Sequence, residues 1–249
     1  MSDLWPELLR ITLCPDQVIL ERGKLVVSRA GVEPRYFEPE VVPVEPRHEP
    51  ALWAAPLAVL GIILDGLPER PHDASVILSN HFVRYPFVNG ANASEPDCAA
   101  NLVEEALQRA LNESLQQHQC RLASLQPRIV TLGEAVADEL QSEPGWLVAI
   151  EQGLASIGLV QDGDFIHFRN MHMWPASSVE LLSVLDRESF AAGLKNPPRN
   201  LVLWMRDESD EVFMPLKSGW QITRLGEEPT TAAPHRKPLR QVSLAGARA

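Results

Sequence analysis

WLVAIEQGLASIGLVQDGDFIHFRNMHM, residues Trp146–Met173, is three apolar runs separated by two short turns. Trp146–Ile150 is a strand that ends at Glu151-Gln152-Gly153, and Leu154–Val160 is a second. After the hairpin signal Asp162-Gly163, Phe165–Met173 is a third. The pattern then predicts a helix over Ser177–Ala192, a break at Asn196-Pro197-Pro198 and another strand at Leu201–Met205. Strand, strand, strand, helix, strand is one supersecondary unit, and the fold depends on whether the chain holds it twice.

The first half holds the same order. Leu9–Leu13 alternates apolar and polar residues, Pro15-Asp16 makes a turn, and Gln17–Leu20 resumes. Arg22-Gly23 is expected to turn again before Lys24–Arg29, giving a meander of two or three strands. Pro34–Pro50, with five prolines, reads as an extended connection with an edge strand at Val41-Val42. Ala51–Leu64 is a helix apolar nearly all round, expected to be buried on a sheet. Next comes SVILSNHFVRYPFV, Ser75–Val88, read as a strand, a polar corner at Ser79-Asn80-His81 and a second strand. Ser94-Glu95-Pro96-Asp97 has the form of a helix start, and Leu102, Val103, Ala106, Leu107, Ala110, Leu111 and Leu115 stripe the helix behind it. Arg121–Leu125 is a short strand and Ile129–Leu140 a helix, and Ser142–Gly145 is a loop and boundary.

Internal repetition of a supersecondary unit is a fold-level signal. Three antiparallel strands followed by a helix and a strand begin a ribonuclease-H-like unit. Two in tandem make an α/β chain of the actin-like class: residues 1–143 as the first subdomain and 144–226 as the second. The latter subdomain is expected to be truncated, because only Glu211–Leu216 and Trp220–Leu225 remain as strands after Met205. Residues 227–249 read as a disordered tail, with partner-binding or membrane-surface peptide as the other reading. In it Arg236, Lys237, Arg240 and Arg248 outnumber two glutamates, among three prolines.

Composition excludes several functions. A net charge of −11 repels a phosphate backbone, and no basic patch outside the tail offsets it, so nucleic acid is not an expected partner. Cys14, Cys98 and Cys120 show no CxxC spacing, which argues against a disulfide framework or zinc site and fits a reducing cytoplasm. The longest apolar stretch, the 14 residues Ala51–Leu64, is short of the ~20 that cross a bilayer, and the N-terminus has no export signal.

The element order resembles the actin-like assembly proteins of type IV pili and type II secretion, the PilM-like proteins and the cytoplasmic part of the GspL-like subunit. Two phrases carry the resemblance: Ser79-Asn80-His81-Phe82-Val83-Arg84-Tyr85 after a strand, and Ala149-Ile150-Glu151-Gln152-Gly153-Leu154 at the opening of the second half. It spans roughly Leu9–Leu225. It implies a scaffold that binds a short peptide of an inner-membrane partner, cytoplasmic or held at that membrane through the partner. Some such proteins hold ATP between two acid- and glycine-bearing hairpins. In this sequence Thr12-Leu13-Cys14-Pro15-Asp16 has no glycine and loses a backbone donor at Pro15. Glu151-Gln152-Gly153 keeps one acid and one glycine, and the short second half has no counterpart of an adenine-binding segment. The expectation is therefore a non-enzyme with no cofactor. The alternative is an ATP-binding enzyme of the same superfamily, with Asp16, Glu151, Gln152 and Gly153 at magnesium and phosphate.

The remaining candidates read as structural. Ser79 and His81 lack the GxSxG elbow of a nucleophile, so Ser79, Asn80 and His81 are expected to form a strand-end corner or a partner-contacting edge rather than a catalytic pair. Arg84 and Tyr85 belong to the same corner, on opposite faces of a strand, one pinning it through a buried salt bridge and the other outward. His167 and His172 fall on opposite faces of a strand, so His167 is expected at the surface between core-facing Ile166 and Phe168, and no metal is expected. Asp207–Glu211 is a solvated acidic loop without calcium-loop spacing.

Overall fold

In the first strand, β1 (Glu7–Leu13), Leu9, Ile11 and Leu13 are buried on one face while Arg10 and Thr12 point to the other. The computed structural model describes residues 7–28, 31–45, 51–67, 72–85, 103–137, 140, 143–162, 164–172, 178–206 and 219–226. The chain divides into two compact units, one built on residues 7–84 and 103–128, the other on residue 85 and residues 129–226.

In the first unit, β1 pairs antiparallel with β2 (Gln17–Ser28), which pairs with β3 (Gly31–Tyr36) and, beside it, β4 (Glu40–Pro43). On its other side β1 pairs in parallel with β5 (His72–Leu78), which pairs in parallel with β6 (Cys120–Pro127). The sheet order is β3-β2-β1-β5-β6. Helix α1 (Ala54–Asp65) packs on β2, and α2 (Glu105–Gln117) packs on β6 through Leu107, Leu111 and Leu115, four residues apart on one stripe.

Several expectations change here. Arg22-Gly23 is no turn: β2 runs straight through it, and Gly23 lies between Leu8 and Tyr36. A Cβ at Gly23 would come within 2.7 Å of the Tyr36 ring, so glycine is required for close approach rather than chain reversal. Pro34 belongs to edge strand β3 rather than to an irregular connection, where a missing N–H costs little. Val41-Val42 does form an edge strand, β4. Helix α1 buries only Ala55, Pro56, Leu60 and Leu64, less than its composition implies. After Ser79 the chain makes a 3-10 turn, Asn80–Phe82, and an isolated bridge from Val83 to Val103 where the second strand was expected to begin, and the rest of that stretch, residues 86–88, lies outside the described residues.

The second unit repeats the plan. β7 (Gly145–Glu151), β8 (Leu154–Gln161) and β9 (Asp164–His172) form an antiparallel meander, and β10 (Asn200–Met205) and β11 (Gln221–Leu225) add in parallel beyond β7. The order β9-β8-β7-β10-β11 matches that of the first sheet. Its shortening lies in the β10-to-β11 crossover, residues 206–220, against residues 79–119 between β5 and β6. β7 is buried on both faces, which is why its sequence is a continuous apolar run. Trp146, Val148 and Ile150 pack against α4 (Ser178–Ala191) through Leu181, Leu182, Val184 and Leu185. On the opposite face, Leu147 and Ala149 pack with Ile129 and Leu132 of α3 (Arg128–Ala135) and with Val136 and Leu140. The sequence boundary at 143/144 thus differs from the division made by packing, which falls between Arg128 and Ile129 because α3 buries its apolar stripe in the second core.

The helix start at Ser94, the acidic run Asp207–Glu211, the strand at Glu211–Leu216, Cys98 and the tail 227–249 lie outside the described residues. No helix among the described residues is long and apolar enough to cross a membrane.

Candidate functional site

In open α/β sheets, ligands meet the carboxyl ends of parallel strands. In the first unit β1, β5 and β6 bring Leu13, Leu78 and Pro127 to one such edge. Beyond Leu13, the Cys14 N–H donates to the Gln17 carbonyl (2.9 Å), and the Asp16 carbonyl accepts from the Val44 N–H beyond β4 (2.7 Å). The Ser79 N–H donates to the Leu13 carbonyl (2.8 Å), joining the corner to the end of β1. The Ser79 hydroxyl accepts from the His81 backbone N–H (3.2 Å) and caps the 3-10 turn, so the Ser79–His81 contact is a turn bond and not a nucleophile–imidazole pair. Ser79 and Asn80 are buried, His81 is partly exposed and Arg84 is exposed. Arg128, buried just past β6, donates from Nη2 to the Cys14 thiol (3.2 Å). The edge therefore gathers the Asp16 turn, Ser79, Asn80 and His81 around a Cys14–Arg128 contact that sequence reasoning missed. The only signal for Arg128 was its place directly after a strand.

In the second unit, Glu151 ends β7, and Gln152 and Gly153 make the two-residue turn into β8. Both have positive φ, 46° and 74°, the type I′ geometry that matches strand twist. The Glu151 residue is fully buried, at 0% exposure. Tyr85 stacks on Phe168 (centroids 4.7 Å, planes 7° apart), and Phe168 stacks in turn on Phe165. Burial, and secondarily the Glu151 carboxylate, push the Tyr85 phenol well above the ordinary tyrosine value. Tyr85 therefore belongs to the second unit with Glu151, while Ser79, Asn80, His81 and Arg84 belong to the first. The two are not opposite faces of one strand. Arg84 is solvent-facing, and Tyr85 is held by ring stacking in place of the expected salt bridge.

His167 is also corrected. It is buried, and its Nε2 lies 3.1 Å from Glu188 Oε2 of α4, whose other oxygen takes Arg169. The register explains the difference: Val160 faces Phe165 while Leu159 faces His167, so Ile166 is an extra bulge residue. The bulge turns His167 toward α4 and leaves Phe168 on the opposite face. His172 is exposed. Among the described residues no three His, Cys, Asp or Glu side chains are placed to hold a metal ion.

No protein-family model matches the chain, and no curated protein matches it. Solved structures do. The PilM–PilN type IV pilus biogenesis complex superposes with a TM-score of 0.55 at 12% identity, over 80% of this chain and 81% of that one. A Bacteroides thetaiotaomicron protein with an actin-like ATPase fold and unknown function superposes with a TM-score of 0.53 at 9% identity, over 82% and 83%. The protein has an actin-like fold of two tandem α/β units, each on a mixed sheet.

Proposed function

We propose that the protein is a non-catalytic actin-like scaffold in a type IV pilus-like or type II secretion-like assembly. It works in the cytoplasm, held peripherally at the inner membrane by binding a short peptide of a membrane-anchored partner. The observation that carries the non-catalytic reading is the first hairpin turn. A phosphate cradle needs free backbone N–H groups. At this turn Pro15 has none and the Cys14 N–H is bound to the Gln17 carbonyl. The burial of Glu151 beside Tyr85 supports the same reading, because a magnesium-holding carboxylate has to face its ion. The likeness to the PilM–PilN complex supports the assembly role.

The rival reading, an ATP-binding enzyme, draws on the positive-φ Gln152-Gly153 turn. Thermal melting with millimolar Mg-ATP separates the two. A ligand at a hundredfold its Kd stabilises by about 2.7 kcal/mol, which for a chain of this size is a rise of about 5–10 °C. The scaffold shows no rise. A rise that disappears in Glu151→Gln would establish nucleotide binding and overturn the proposal.

A further inference from the structure

We infer that the groove between α1 and α2, on the helical face of the first unit, docks a short partner segment with an apolar face and Lys or Arg at one end. This rests on the docking reading above and gives it a surface and a chemistry.

The two helices lie side by side in the same direction. At their N-terminal ends the Trp53 indole N–H donates to Glu104 (3.2 Å), and at their C-terminal ends His118 Nε2 lies 3.0 Å from Asp65 Oδ1. Between them is a groove of about 530 Å³, with Trp53, Leu57, Gly61 and Ile62 on one wall and Ser114 and Gln117 on the other.

Three observations make this wall unlike an ordinary helix surface. An apolar-all-round helix is normally buried, yet Ile62 is 72% exposed and Leu52, just before the helix, 56%. Gly61 stands mid-helix, where glycine costs about 1 kcal/mol relative to alanine, and a Cβ there would meet nothing within 4 Å. The missing side chain opens the groove. Finally, the two C-terminal helix ends, each carrying about half a negative charge, meet at Asp65, whose side chain is 76% exposed. Neither helix has a basic residue in its last turn. His118 lines the same end of the groove, its Nδ1 2.7 Å from the Ser114 carbonyl and its Nε2 on Asp65.

An apolar wall ending in negative potential is complementary to an amphipathic segment ending in cations, laid as a helix in a groove. Cytoplasmic segments next to membrane spans carry an excess of Lys and Arg, which matches both the groove and the chain's net charge of −11. The occupant assigned is such a juxtamembrane segment.

The test uses fluorescence anisotropy with the full chain and a labelled peptide of about 15 residues, leucines at i, i+3, i+4 and i+7 and lysines elsewhere. Its control has glutamate for lysine. The wild type is expected to bind the lysine peptide at about micromolar Kd and not the control. Gly61→Trp, which fills the groove from an open position, and Asp65→Lys should each weaken binding about tenfold or more. Gly61→Ala, confirming that the helix tolerates a side chain there, should bind within about threefold of wild type. Equal affinity of wild type and Gly61→Trp would overturn this groove while leaving peptide docking elsewhere intact. No saturable binding of the lysine peptide would overturn the basic-segment assignment, and a panel of other cytoplasmic peptides then tests the scaffold reading separately. Concentration-dependent dimerisation abolished by Gly61→Trp would assign the groove to another copy of this chain and overturn the partner.

Discussion

At the scale of single residues, Glu188 is the most consequential side chain that the sequence pattern concealed. It is buried and receives both His167 and Arg169. Removing the carboxylate takes a hydrogen-bond partner from the buried His167 ring and the counter-charge from Arg169, and a lost buried hydrogen-bond partner costs about 1–3 kcal/mol. Glu188→Ala is therefore expected to lower unfolding free energy by about 2–3 kcal/mol in urea titration, whereas Arg169→Ala, at a 44% exposed side chain, should cost about 1 kcal/mol or less. Equal losses would contradict this assignment. Tyr85 supplies a pH prediction. An unfolded tyrosine titrates near 10, while burial and Glu151 keep the folded phenol protonated beyond that. As pH rises above about 10, the unfolded chain loses a proton that the folded chain keeps, so stability falls. Tyr36 is shifted up by burial as well, so Tyr85→Phe should flatten the alkaline limb without abolishing it, as read from melting temperature against pH. His167 escaped the sequence reading because period-2 alternation assumes an unbroken register, and the bulge at Ile166 breaks it.

At the scale of elements, patterning located nearly every strand and helix among the described residues but misjudged how they are used. Gly23 and Gly158 illustrate why. Both sit inside strands, where glycine is read locally as a turn or weak point, yet each admits an aromatic ring from a strand brought alongside by the sheet. A Cβ at Gly158 would lie 2.7 and 2.9 Å from two atoms of the Phe165 ring. Gly158→Ala is expected to displace the Phe165–Phe168–Tyr85 stack and cost about 1–3 kcal/mol. A denaturation midpoint unchanged from wild type would refute that packing role. Gly61 should behave oppositely: with open space above it, Gly61→Ala is expected to gain up to about 1 kcal/mol of helix stability. The contrast separates a glycine kept for close approach from one whose absent side chain leaves a groove.

At the scale of the molecule, self-repulsion from a charge of −11 is screened over about 10 Å at 0.1 M salt and only over about 30 Å at 0.01 M. Raising sodium chloride from low to physiological strength should therefore increase the melting temperature by a few degrees, and no change would mean that local ion pairs such as Arg10–Glu21 outweigh the net field. A meander followed by a helix and a further strand was legible in both halves, because apolar periodicity and turn residues are local properties, although the third strand of the first half forms at Gly31–Tyr36 and not at Lys24–Arg29. The actin-like fold followed from that repetition, and the solved structures bear the fold out. The assignment of α3 to the second core was not legible, since its stripe of Ile129 and Leu132 would fit either sheet equally well. Nor were the convergence of Cys14 with Arg128, 114 positions apart, or the half-exposed wall of α1. Periodicity in a sequence determines that a face is apolar and which residues share it. What covers that face, or leaves it open, depends on long-range packing and was decided only by the tertiary structure.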